Sequence, residues 1–244
     1  MAKVKPSLIE YSGTVGREIH YTRFGRTYSR RLPTEYNDRK SEAQLRQRAL
    51  FKARQKASAL FGTVLQRGLT KEAHGEGMTE ANYFSRLNKD CFQYDNGVVH
   101  TDYPALLVAR GPLPGVVFTR SRAKGLRVEV AFNPCLGDSK ASSDDVVHIY
   151  AVEPQVEICQ LMASVCRREG QATFDLPDLS EETDDPQTYY LYAIVESAIT
   201  AGIPTLSAAE KQRDKKHRNI NRRVSPSVFV GTIIVNQSLP SFRP

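Results

Sequence analysis

Apolar and polar positions change their period once along this chain. Between Ser41 and about Arg67, the residues Leu50, Ala53, Ala57, Leu60, Phe61, Val64 and Leu65 recur at helical spacing and predict one buried stripe. Arg48, Lys52 and Lys56 form a basic row on another face of the same helix. Ser41 with Gln44 three places on is a capping-box start, and the stretch from Glu42 to Arg67 holds no proline. A shorter helix, opened by Thr79 and running to about Phe92 with Tyr83, Phe84, Leu87 and Cys91, pairs with it across the Gly75 to Gly77 turn.

From Pro104 onward the period becomes two and turn residues are frequent. Leu126, Val128, Val130 and Phe132 alternate with Arg127, Glu129 and Ala131. Further strand-like runs are Leu106 to Ala109, Val116 to Thr119, Val146 to Val152, Ile158 to Val165, Ala172 to Leu176, Tyr189 to Val195 and Val228 to Val235. Seven or eight short strands over residues 104–236 predict an antiparallel β-sandwich. Long parallel crossovers are absent, which argues against a nucleotide-binding α/β fold.

The opening stretch obeys neither pattern. Residues 13–33 hold Arg17, Arg23, Arg26, Arg30 and Arg31, a single acid, Glu18, and the rings Tyr21, Phe24 and Tyr28. In a strand Arg17, Ile19, Tyr21 and Arg23 share one side and Glu18, His20, Thr22 and Phe24 the other. Gly25-Arg26 predicts a two-residue turn into a second strand, Thr27 to Leu32, which Pro33 stops. Neither face is apolar enough for a core, and a lone hairpin is marginal in water, so the ribbon needs a partner surface. The expected architecture is therefore α+β: a basic arm over residues 1–40, a helical segment over 41–103, and a sandwich over 104–244 that carries a basic loop at 211–223.

Charge sharpens this picture. The formal charge is +7, yet residues 1–71 hold 16 Lys or Arg against 5 Asp or Glu, and the remaining residues 18 against 22. The basicity belongs to the front. Two later segments are also one-sided: Asp175 to Asp185 is acidic, and Lys211 to Arg223 is strongly basic. With 40% hydrophobic residues the chain can bury a normal core, and no apolar run approaches the length of a membrane helix. The start lacks a secretory leader, so the expected location is the cytoplasm, or a particle assembled there.

Candidate chemistry is sparse. Cys91, Cys135, Cys159 and Cys166 show no metal-ligand spacing and read as free, buried thiols. The five histidines are scattered; His148, inside an apolar strand, reads as a satisfied structural histidine rather than as the base of a nucleophile. Asp144-Asp145 and the acids at 181–185 lack a calcium-loop pattern and read as solvated turns. GTVG and FGRT lack the Gly-Lys-Ser/Thr of a phosphate loop. No catalytic residue, metal or cofactor is expected.

The order of pieces resembles an uncharacterised family of Bacteroidetes genomes and their mobile elements. Its Gly-x-Val-Gly segment matches Gly13-Thr14-Val15-Gly16, its Arg-x-x-Pro matches Arg30 to Pro33, and its Arg-x-x-Glu-Ala-Gln helix start matches Arg39 to Gln44. Leu107 to Gly111 and the closing strand Ser227 to Val235 also match, whereas the basic run at Lys211 to Arg223 departs from the pattern. The resemblance implies an N-terminal arm and helices before a sandwich similar to immunoglobulin or fibronectin type III domains. The stretch Leu176 to Tyr190 fits the tyrosine corner of such sandwiches.

The expected function is non-catalytic: a structural subunit of a phage virion or related particle, whose basic arm docks on neighbouring subunits. The alternative is a nucleic-acid-binding accessory protein with a phosphate-tracking stripe. Both readings use Arg17, Tyr21, Arg23, Arg26, Tyr28, Arg30, Arg31, Arg48, Lys52 and Lys56. A third reading, a carbohydrate- or peptide-binding sandwich, would use strand-end loops, where no motif marks a site.

Overall fold

A computed structural model describes residues 2–3, 13–23, 26–34, 38–179, 186–201, 223–235 and 241–243. Two antiparallel sheets form the body. One has five strands in the order β10-β9-β12-β13-β14: β9 (Val146–Glu153), β10 (Ile158–Cys166), β12 (Gln187–Glu196), β13 (Val228–Val235) and β14 (Ser241–Arg243). The other has three in the order β11-β8-β7: β7 (Val117–Lys124), β8 (Arg127–Asn133) and β11 (Gln171–Asp175). They stack through one apolar layer in which Val128, Val130, Phe132 and Phe174 meet Val147, Ile149, Leu191, Val195 and Ile233. The fold is thus α+β with sandwich-like stacking, as the alternation predicts.

The central strands β9 and β12 are buried on both faces. Val147, Ile149 and Ala151 face the three-stranded sheet, while Tyr150 and Val152 face the helices. On β12, Tyr189, Leu191, Ala193 and Val195 lie against the sheet, and Tyr192 and Ile194 against the helices. The molecule therefore has three layers, and the helical segment shares its core with the sandwich.

That helical layer begins with α1 (Glu42–Leu60), where the Ser41 hydroxyl accepts from the Gln44 N–H; the Gln44 carbonyl, which a full capping box would use in return, has no partner. It breaks at Phe61 and Leu69 into α2 (Gly62–Gly68) and α3 (Thr70–Gly75), longer than the single helix expected. The predicted stripe is the buried one: Leu50, Ala57, Phe61, Val64 and Leu65 lie in the core. Phe61 packs edge-on to Tyr192, with ring centroids 5.3 Å apart, and each such fully buried side chain contributes roughly 1.5–3 kcal/mol. The helix α4 (Glu80–Leu87) is capped by Thr79 as expected.

Three expectations need correction. The second helix does not reach Phe92, which instead opens a hairpin of β5 (Phe92–Asp95) and β6 (Val98–Thr101). Asn96 and Gly97 take left-handed φ of 47° and 90° there, the demand of a two-residue hairpin turn. Leu106, Val108 and Ala109 are buried and Leu107 is exposed, but the segment is irregular, because Pro104, Pro112 and Pro114 crowd it and side chains take the place of a strand partner. The Asn88 amide bonds both the N–H and the C=O of Leu107, and the Ser227 hydroxyl receives the Val108 N–H. Finally, Asp145 is no solvated turn acid: it is buried, receives the Ser142 N–H and stands 3.6 Å from Arg167. Arg167 is itself wholly buried and donates to the carbonyls of Pro114 and Pro134.

Candidate partner interface

The front of the chain forms a sheet of its own, in the order β1-β4-β3-β2: β1 (Ala2–Lys3), β2 (Gly13–Val15), β3 (Glu18–Arg23) and β4 (Arg26–Arg31). The expected hairpin is present, but Arg23 pairs with Arg26, so Arg26 belongs to the second strand rather than to the turn. Phe24 and Gly25 lie outside the described residues. Gly16 and Arg17 make the turn between β2 and β3. The outer strand β2 is exposed along its whole length, with Val15 60% exposed.

Register sorts the residues onto two faces. One carries Ile19 opposite Arg30, Tyr21 opposite Tyr28, and Arg23 opposite Arg26. The two tyrosine rings stack at 5.5 Å with their planes 20° apart, giving that face an aromatic centre on the side that also carries exposed Arg30. The other face is polar and bonded to itself: the Ser29 hydroxyl donates to Glu18 at 3.1 Å, and Thr22 and Thr27 hydroxyls meet at 3.2 Å. Arg31 stands on this second face opposite Glu18. The five arm arginines thus split between a turn, two faces and a hairpin tip.

The basic helix row is also divided. Arg48 grips Asp38 with both terminal nitrogens at 2.8 Å, and that hydrogen-bonded guanidinium holds the Asp38 carboxyl below its ordinary range. Lys56 reaches across to Glu157 in the β9–β10 turn at 2.7 Å. Lys52 is exposed between them. The structure therefore uses two of the three predicted row residues as ties, one holding the arm's root to α1 and the other holding α1 to the sandwich. The basic run 211–222 and the acids 181–185 lie outside the described residues; Asp175, Asp178 and Arg223 are exposed.

Sequence reasoning singled out His148 as a satisfied structural histidine but not the partners that satisfy it. Arg67 on α2 donates through one terminal nitrogen to Glu196 at 2.7 Å and to His148 Nε2 at 2.6 Å, and His148 Nδ1 meets Ser164 Oγ at 2.8 Å. Serine, histidine and glutamate stand in line, with the Arg67 guanidinium set against the histidine–glutamate end, where His148 Nε2 also lies 3.3 Å from the Glu196 carboxylate. The cluster is a clasp between the helical layer and the sheet, with Glu196 0% and His148 4% exposed. Its members are up to 129 positions apart, so no local spacing signals it.

The four cysteines are free and half-buried, less enclosed than expected. Burial pushes the Cys159 thiol up to about 12. Among the described residues no group of three or more His, Cys, Asp or Glu side chains converges, and no helix is long and apolar enough to cross a membrane. Comparison with protein-family models, curated proteins and solved structures finds no match to this chain.

Proposed function

We propose that this protein is a non-catalytic assembly subunit, a component of a phage virion or related particle, in which the N-terminal sheet docks on neighbouring copies. The observation that carries the proposal is the arm sheet itself. Its strands pack chiefly against one another, its outer strand β2 is exposed throughout, and one face carries the Tyr21–Tyr28 stack together with Arg30. An open strand edge beside an aromatic face gains from being covered by another protein surface.

The body supports the role of a rigid carrier. Its seven strands β7 to β13 divide three to four, with the fourth in sequence, β10, beside the third, β9. The Tyr189 hydroxyl, near the start of β12, donates to the Pro177 carbonyl at 2.7 Å, the bond of a tyrosine corner. Both features favour a fibronectin type III-like sandwich, the architecture implied by the resemblance to a family carried on mobile elements.

Nucleic-acid binding is the second reading, favoured by the stacked tyrosines with Arg30 on their face, a pairing suited to unpaired bases and phosphates. Its phosphate-tracking row is shortened, because Arg48 and Lys56 already hold carboxylates. Deleting residues 1–33 tests the proposal: the truncated chain stays folded and loses self-association. Survival of both self-association and nucleic-acid binding in the truncated chain refutes the role given to the arm.

A further inference from the structure

We propose that the outer face of the three-stranded sheet binds an extended acidic segment with carboxylates at alternate positions, supplied by a second copy of this chain. The site is a hollow of about 290 Å³ lined by Arg120 and Arg122 of β7, Glu129 and Ala131 of β8, and Gln171 and Thr173 of β11. It is distinct from the arm and stands or falls separately.

A bulge builds it. On β7, Phe118 pairs with Phe132 and packs inward, so strict alternation would turn Arg120 into the core as well. The next pair is Arg120 with Ala131, which leaves Thr119 as the extra residue, its hydroxyl donating to the Ala131 carbonyl at 3.2 Å. The bulge therefore re-aims Arg120 to the outer face, beside Arg122. Across the sheet the rows read Arg120–Ala131–Gln171 and Arg122–Glu129–Thr173, so the short Ala131 side chain opens space between two long ones. Among the described residues neither guanidinium has an ion-pair partner, although Glu129 stands opposite Arg122 in register.

Two exposed guanidinium forks on one side of a strand select a ligand by spacing and by charge. Residues two apart on a strand are separated by roughly 6.6 Å, the repeat of alternate side chains in any extended peptide. A segment with acids at i and i+2 thus presents one planar carboxylate to each fork. Gln171 and Thr173 add donors and acceptors for its backbone. This chain carries such a pattern in Glu182-Thr183-Asp184, within a run of four acids from Glu181 to Asp185 and no base, so the charge pattern selects a second copy as the source.

The test uses the full chain and a fluorescent peptide of residues 179–187, followed by anisotropy at low salt. The peptide is expected to bind, and Arg120→Gln with Arg122→Gln to weaken it roughly tenfold or more. Glu129→Gln, which removes the carboxylate competing for Arg122, is expected to tighten binding, a gain that misfolding cannot mimic. A peptide with Glu182→Gln and Asp184→Asn is expected to lose affinity to the same extent as the double arginine variant. Binding unchanged in that double variant, no binding at millimolar peptide, or displacement by inorganic phosphate at the same concentration as by unlabelled peptide each overturns the proposal.

Discussion

Replacing Arg67 with methionine removes the cation at the centre of the buried clasp while keeping most of the stem that packs beside it. Glu196, fully buried, and His148, nearly so, both lose the Arg67 donor, which stands 2.7 Å from the carboxylate and 2.6 Å from the ring nitrogen. Removing one partner of a buried ion pair costs about 3–5 kcal/mol, an upper bound here because His148 Nε2 stays 3.3 Å from the Glu196 carboxylate. In a domain of this size each 1 kcal/mol moves the melting midpoint by roughly 2–4 °C, so the variant is expected to melt roughly 6–20 °C lower. Circular dichroism during urea and thermal unfolding reads this directly, with the urea slope unchanged if the native state keeps its surface. Adding Glu196→Met to Arg67→Met removes the buried carboxylate as well, and the double variant is expected to recover part of the loss. A loss below about 1 kcal/mol, or a double variant no better than the single one, refutes the claim that this ion pair clasps the layers.

Three further outcomes follow from the same geometry. Tyr189→Phe removes the bond to the Pro177 carbonyl and a second to Gln187 at 2.9 Å, and is expected to cost about 1–3 kcal/mol in urea unfolding. Gly68→Ala would set a methyl group 2.7 Å from the Val108 carbonyl oxygen and 2.5 Å from Ala109 Cβ, an overlap expected to cost about 1–3 kcal/mol and to loosen the 106–109 segment in hydrogen exchange. Burial holds the Glu153 carboxyl above its ordinary 4.5, outweighing the N–H donors of Gln155 and Thr188. Because the native state then keeps this proton where the unfolded chain has lost it, the Glu153 contribution to stability declines as pH rises from 4.5 through the raised value, and Glu153→Gln is expected to flatten that limb of the stability–pH profile.

How much of this was legible in the sequence depended on whether a signal was local. The stripe from Leu50 to Leu65, the caps at Ser41 and Thr79, and the alternation of β8 are local, and they appear where expected. The β5–β6 hairpin was legible too: Asn96-Gly97 between alternating apolar residues is a strong hairpin signal, masked by the helical start at Thr79. The rest depends on partners far along the chain. Nothing near Leu107 announces that Asn88 satisfies its backbone, nothing near His148 announces Arg67 and Glu196, and nothing at Thr119 announces the bulge that turns Arg120 outward. The candidate arm residues were legible as a composition; their division between faces, and the capture of Arg48 and Lys56 by Asp38 and Glu157, required the register and the third dimension.

The central claim is that the arm sheet docks on other copies of the protein. Its most direct test is the mass of the purified full chain by light scattering, at low and high salt, with and without added DNA or RNA. The assembly reading predicts a defined oligomer that forms without nucleic acid and persists in salt. A monomer that gains mass only with nucleic acid, and loses it as salt is raised, would contradict it and put the nucleic-acid reading first.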